Sequence, residues 1–244
     1  MTGLPISSEE RALPRANVLP GVREEVPEKV LPAPPDFALG WWARLGAWLN
    51  MLFVDFSIFR FFFNLRQEFA SGAYRSSHPM PYQLRAGARA GIRTVLNLRG
   101  SSSRIGSNRL EWDTARRCGL KVVHLSMASR DAPSVAEILG LVEAFATLEA
   151  PLWIHCKSGA DRAGFAAAIY QLVQIGRPVA VARRELRFWW HGHLRQSRTG
   201  ILDRVFDLYD EAHARDGIGF VDWVRTHYDR DGVRQSFRDR RRWP

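Results

Sequence analysis

The 244-residue sequence predicts an α/β fold, a sheet whose strands alternate with helices, followed by an all-helical carboxyl-terminal third. Two observations predict it. From Ala73 onward four short β-branched or apolar runs, AYRSS, IRTVLNLRG, LKVVHLS and PLWIHC, are separated by stretches of helical period. Beyond the last of them the text is helical in character to the end of the chain.

Taken in order, residues 1–37 scatter Pro5, Pro14, Pro20, Pro27, Pro32, Pro34 and Pro35 among charges, with too little apolar surface to offset ordering entropy, and are expected to be a disordered tail. Residues 38–68 concentrate Trp and Phe into an amphipathic helix. Arg44, Asn50, Asp55 and Arg60 interrupt it and argue against a membrane span, since each central charge costs about 2.5–3.5 kcal/mol. On a helical wheel Gly46, Asn50, Ser57, Arg60 and Asn64 share one face, and Trp41, Trp48, Leu52, Phe59 and Phe63 lie largely opposite. The segment then either lies at a membrane interface or packs on the globular domain as an extra layer.

Residues 69–230 hold the α/β domain. Between its strands, helices are predicted over Tyr82–Ala90, Asn108–Cys118 and Ser134–Leu148, the last with Pro133 before its start and Val135, Ile138, Leu139, Val142 and Phe145 on one face. Ala163–Gln174, small and apolar, suits burial against the sheet, and Val179–Phe188, Ile201–His213 and Gly219–Tyr228 complete the helical third. Residues 231–244, with RDRRRW, read as a basic tail that solvates the end or reaches acidic lipid.

With 46% hydrophobic residues the chain has enough apolar material for one sizeable core with extensions. The formal net charge of +10 is almost all arginine, lysine occurring only at positions 29, 121 and 157, which favours phosphorylated or otherwise anionic partners. Nucleic acid is not expected as a partner, because the charge is dispersed and no groove-reading motif is present. Two cysteines, Cys118 and Cys156, and no cleavable signal peptide point to a reducing compartment, the cytoplasm, with peripheral contact at the inner membrane left open by the aromatic segment. Cys118 reads as a small core hydrophobe.

Function concentrates in IHCKSGADRAG, Ile154–Gly164. Cys156 ends a buried-strand pattern, Gly159 sits mid-loop, Arg162 closes the loop and a helix begins at once, so backbone N–H groups converge at a helix N-terminus. Such a loop binds a tetrahedral dianion and favours a thiolate, the nucleophilic form of cysteine. Arg162 offers a planar fork for two phosphoryl oxygens. His155 either orients the loop or is a satisfied histidine at the strand end.

The run HCKSGADRAG resembles the signature loop of the cysteine-dependent phosphatases, the protein tyrosine and dual-specificity superfamily. The upstream YRSSHPMPYQL and GIRTVLNLRG resemble the lead-in of its bacterial members, and the likeness extends from about Ala73 to Tyr209. It implies a (phosphotyrosine protein phosphatase)-like fold, with a central mixed sheet flanked by helices. It also implies a Cys156 phosphoenzyme, phosphate held by Cys156, Lys157, Ser158, Gly159, Ala160, Asp161 and Arg162, and neither metal nor cofactor.

The reaction needs an acid for the leaving oxygen and a base for water. The superfamily draws an aspartate from a loop upstream, where Asp131 stands in SMASRDAPS; a helix-start aspartate is the alternative reading. Asp161 is the rival, since Cys-x4-Asp-Arg resembles loops of phosphoinositide phosphatases. Together with Lys157 it opens a phospholipid or inositol phosphate substrate beside a phosphorylated protein. Ala163 departs from the Ser or Thr that usually follows the arginine and assists departure of sulfur, so slow turnover, down to a phosphate-binding module, is a further expectation. The pair His191 and His193 in WWHGH is read as structural, with no acidic or cysteine partner nearby in sequence to complete a metal site.

Overall fold

The computed structural model describes residues 30–32, 37–55 and 65–242. Among the described residues six strands form one sheet: β1 (Val30–Pro32), β2 (Gln67–Ala70), β3 (Ala73–Ser76), β4 (Thr94–Asn97), β5 (Lys121–Leu125) and β6 (Leu152–His155). Their order is β1-β5-β4-β6-β3-β2. The inner four are parallel, and β1 and β2 close the edges antiparallel. Registers Ser76↔His155↔Asn97↔His124 bring the carboxyl ends of the four parallel strands into one row. Ligands of open α/β sheets bind beyond such a row, where the connecting loops meet.

The period-2 alternation decides which side chain faces which layer. Val95, Val122 and Trp153 pack on α2 (Pro81–Arg89) and α3 (Gly106–Cys118). Leu96, Val123 and Ile154 face the larger core of α4 (Val135–Thr147), α5 (Asp161–Val173), α8 (Ile201–Asp216) and α9 (Phe220–Thr226). Helix α4 starts where a capping box sets it: Glu137 N–H donates to Ser134 Oγ and the Glu137 carboxylate accepts from Ser134 N–H. Helix α5 is buried nearly throughout, and a Cβ on Gly164 would lie 2.7 Å from Glu185 O, so glycine permits the close crossing there.

The four predicted strands and the helices at α2, α3, α4, α5, α8 and α9 are present. Val179–Phe188 is not one helix. It divides into α6 (Val179–Ala182), a 3₁₀ turn (Arg183–Leu186) and, after extended Arg187, α7 (Phe188–His191). The break lets Glu185 offer both its carbonyl and its carboxylate to Arg75 from β3.

Three boundaries also differ from expectation. The Pro-rich tail assigned to 1–37 contributes β1, which pairs with the exposed edge of β5, and most of that tail lies outside the described residues. The basic tail assigned to 231–244 is helical through Arg242 as α10 (Arg230–Arg242). Asp229 Oδ1 accepts from Asp231 N–H at its start, and Val233 and Phe237 join the main core one turn apart.

The aromatic helix assigned to 38–68 covers α1 (Trp41–Leu49) and a π-helical turn (Asn50–Val54). Residues 56–64 lie outside the described residues, and Gln67 and Glu68 belong to β2. The packing alternative holds for one face of α1 and the turn after it, where apolar Ala47 and Met51 are buried and Asn50 is half-buried beside them. Ala47, Asn50 and Met51 meet α3, and Asn50 Oδ1 accepts the N–H of Gly106, one of the otherwise unpaired donors at that helix's start. Trp41, Trp42, Leu45, Leu49 and Phe53 face outward, Trp42 77% and Phe53 71% exposed. No helix among the described residues is long and apolar enough to cross a membrane.

Candidate active site

Cys156 follows β6 directly and is 1% exposed. The loop reverses at Gly159, whose φ of +76° suits glycine, and its N–H donates to Cys156 Sγ at 3.3 Å. Beneath the loop the buried guanidinium of Arg75 donates to Gly159 O (2.6 Å) and Ala160 O (3.2 Å). In a trans peptide C=O and N–H point opposite ways, so carbonyls drawn toward Arg75 turn the following N–H groups of Ala160 and Asp161 the other way, out of the floor. Burial pulls Arg75 below its usual pKa, and the charge and hydrogen bond of Glu185 act against that pull.

Arg162 begins α5's first turn and reaches across two strand ends. Its Nη1 donates to Leu98 O (3.1 Å) and Met127 O (3.2 Å), in the segments after β4 and β5. Its Nε is buried and has no acceptor among the described residues. A phosphoryl oxygen would supply one, and an unmade hydrogen bond at a buried donor costs about 1–3 kcal/mol.

His155 is fully buried. Its Nε2 lies 2.6 Å from Glu111 Oε1, and its Nδ1 is 3.4 Å from Cys156 O. Glu111, from α3, also accepts from Asn97 Nδ2 at 2.6 Å. Burial pushes the Glu111 carboxyl upward most strongly, but His155, His124 and Asn97 together hold it below the ordinary range. The residue before Cys156 is therefore fixed by a buried carboxylate that sequence spacing did not reveal.

Lys157 is half exposed, its ammonium 3.4 Å from Asp55 Oδ1. Asp55, at the end of the α1 segment, also takes a bidentate pair from Arg99 (2.8 and 2.8 Å) and the Ser107 hydroxyl. Ser158 Oγ accepts from Ala160 N–H at 3.4 Å. Ala163 is fully buried in α5.

The two carboxylate candidates are held apart by different partners. Asp131 accepts from Arg234 Nε (2.7 Å), Arg230 Nη2 (3.1 Å) and its neighbour Ala132 N–H (2.8 Å), chiefly the Arg234 bond keeping it below the usual carboxylate range. None of these bonds reaches the loop. Asp161 meets His193 Nδ1 at 2.7 Å, and His193 Nε2 meets Asp203 Oδ2 at 2.6 Å. His191 lies 3.7 Å from Glu185, and burial first and Arg75 second push it down to about 3. No cluster among the described residues has the make-up of a metal site.

Of the residues that organise the loop, Arg75 stood inside the quoted YRSS run without a role. Asn97 and Arg99 stood in the quoted GIRTVLNLRG run and Asp55 among the charges that interrupt the aromatic segment, none of them with a role at the loop, while Glu111 and Asp203 gave no signal, because each is remote in sequence from the loop it serves. The cavity of about 660 Å³ between α5, α8 and α9, lined by Leu172, Tyr209, Phe220 and Arg225 among others, includes no loop residue.

A thiol at the end of a central parallel strand, an amide aimed at its sulfur and an arginine closing the loop resemble the anatomy of the cysteine-dependent protein tyrosine and dual-specificity phosphatases. Residues 70–177 match the family model described as a polymorphic toxin system, DSP-PTPase phosphatase. No curated protein matches. Among solved structures, TpbA of P. aeruginosa is 22% identical over 71% of this chain and 90% of that one, with a TM-score of 0.46. Tk-PTP in its active form is 20% identical over 60% and 96%, TM-score 0.46. The catalytic core of the PP-IP phosphatase SIW14 from S. cerevisiae is 16% identical over 62% and 92%, TM-score 0.46. At TM-scores below 0.5 these likenesses carry no inference about this chain's chemistry.

Proposed function

We propose that the chain hydrolyses phosphomonoesters of phosphorylated proteins, with tyrosine or dual specificity, through a Cys156 phosphoenzyme. The Cys156 thiolate attacks phosphorus, the bond to the leaving oxygen breaks, and that oxygen takes a proton from a carboxylic acid. Water then attacks phosphorus, gives its proton to the same carboxylate, and sulfur leaves as thiolate. Arg162 and the amides of Lys157, Ser158, Gly159, Ala160 and Asp161 hold the equatorial oxygens. The observation that carries the reading is Arg162 Nε, a buried guanidinium donor at the loop without an acceptor among the described residues. Asp131 is the proposed acid, reaching the site when substrate draws it from Arg230 and Arg234, and Asp161 is the alternative within the loop. The proposed catalytic unit is residues 69–230, with α10 joined to it. A nucleophilic thiol must stay reduced, so a cytoplasmic location is proposed.

Brief mixing with p-nitrophenyl phosphate, denaturation and mass spectrometry should show one phosphoryl group on Cys156, absent from Cys156→Ser. Folded protein without that adduct would refute the phosphoenzyme. An initial burst followed by slow release would place the Ala163 effect in the second step, and Ala163→Ser should then speed it. If Asp131 is the acid, Asp131→Asn slows substrates with poor leaving groups more than those with good ones.

A second reading, a phospholipid or inositol phosphate substrate at a membrane surface, draws on the outward row Trp41, Trp42, Leu45, Leu49 and Phe53. Co-sedimentation with anionic vesicles that Trp42→Ser and Phe53→Ser weaken together would support it. Equal recovery of wild type and variant in the supernatant would exclude it.

A further inference from the structure

His193 sits between the amino-terminal turns of two helices, with its side chain fully buried. One ring nitrogen is 2.7 Å from Asp161 Oδ1 in the first turn of α5, the other 2.6 Å from Asp203 Oδ2 in the first turn of α8. Ionised carboxylates only accept hydrogen bonds, and a neutral imidazole has a single N–H. Two such contacts are both hydrogen bonds only when the ring carries two protons. Asp161 immediately precedes Arg162, so whatever fixes Asp161 also fixes the turn from which the arginine is aimed.

Resting on the phosphatase reading, we propose that His193 is a positioning residue for the phosphate-binding loop: as an imidazolium it bridges Asp161 and Asp203, and losing one ring proton unfastens Asp161 and sets the alkaline limit of phosphate binding and turnover. Two charged groups face the ring directly, Asp161 from α5 and Asp203 from α8. Behind Asp161 the Arg75 guanidinium adds positive charge, itself paired to Glu185, beside which His191 stays neutral. Burial alone would lower His193, but the hydrogen bonds and charges of Asp161 and Asp203 outweigh it and raise the ring to about 9. The bridge is therefore closed at neutral pH and opens as pH rises through about 9.

The bridge ties the loop to the stretch between α7 and α8. His193 comes from that stretch, whose neighbour Trp189 is 88% exposed. The same chemistry also limits negative charge at the loop: with His193 protonated, the three side chains carry one net negative charge, and without that proton they carry two, next to the site of a dianion.

The test uses the full chain, with inorganic phosphate as ligand and p-nitrophenyl phosphate as substrate. Phosphate affinity of the wild type should fall at least tenfold between pH 8 and pH 10, following the His193 ring titration seen by NMR. Asp203→Asn keeps an acceptor oxygen but removes the negative charge that favours the imidazolium, and should move both curves down by about one pH unit or more, and Asp203→Glu should restore them. In kinetics the alkaline limb of kcat/KM should shift in the same order. A role confined to stability would lower the folded fraction and leave the position of these curves unchanged. Identical curves for wild type and Asp203→Asn in equally folded samples, or a His193 ring that titrates near 6.5, would overturn the proposal. Phosphate binding and the NMR titration need no turnover, so protein lacking Cys156-dependent hydrolysis would refute the phosphatase reading while these two arms still decide the bridge.

Discussion

Glu111→Ala should be among the most destabilising single changes near the site, and its cost can be worked from the contacts it removes. Glu111 is buried, with Oε1 2.6 Å from His155 Nε2 and Oε2 2.6 Å from Asn97 Nδ2. Both partners are themselves fully buried, so neither can turn to water when the carboxylate goes. Removing the carboxylate leaves two buried hydrogen-bonding groups without a partner, at about 1–3 kcal/mol for each. For a chain of this size a urea m-value of about 2–3 kcal/mol/M converts that to a midpoint lower by roughly 1–2 M. Glu111→Gln keeps the shape and one acceptor and should lose less, about 1–3 kcal/mol. The assay is equilibrium urea unfolding followed by tryptophan fluorescence, Trp153 and Trp112 both being buried in the adjoining core. A Glu111→Ala midpoint within about 0.4 M of wild type at unchanged m would refute the reasoning, since it would mean that the pair was worth under about 1 kcal/mol. Folded Glu111→Ala protein should also bind phosphate more weakly, because His155 adjoins Cys156.

Other consequences follow from single contacts. Arg75→Lys replaces a fork holding Gly159 O, Ala160 O and Glu185 with one ammonium, and should lower kcat/KM at least tenfold while the protein remains folded; an unchanged value would exclude Arg75 from organising the loop. Gly200→Ala would put a methyl 1.8 Å from Arg195 O, a backbone clash that should cost about 1–3 kcal/mol in thermal or urea unfolding. The raised His193 value has a sign in stability as well: its contribution is complete below about pH 6.5, fades as pH rises through about 9, and is of the order of 3 kcal/mol. Urea midpoints from pH 6 to pH 10 should show that loss in wild type and much less of it in His193→Gln.

Strand runs, helix stretches and the loop around Cys156 could be read directly, because each is a local pattern: the run PLWIHC contains β6, and Pro133 stands just before the start of α4. The reading failed where a segment's conformation depends on something distant. The basic end is helical because Val233 and Phe237 find a core to join, and Val179–Phe188 breaks because Glu185 turns toward Arg75. The turn after α1 brings polar Asn50 to α3, whose start has an N–H to satisfy, a preference that no amphipathicity count contains.

The sequence by itself determined the chemistry on offer: a cysteine at a strand end, a glycine turn, an arginine and a helix start within seven residues, a spacing that backbone geometry alone makes into an anion cradle. Tertiary structure decided how that cradle is held and in what charge state. Glu111, Arg75 and Asp203 reach it from α3, β3 and α8, and they matter because burial removes the water that would otherwise screen or replace them. It also decided the partners of the acidic residues, giving Asp131 to two arginines of α10 and Asp161 to a doubly bonded imidazole, since charges distant in sequence choose partners only once the chain has folded.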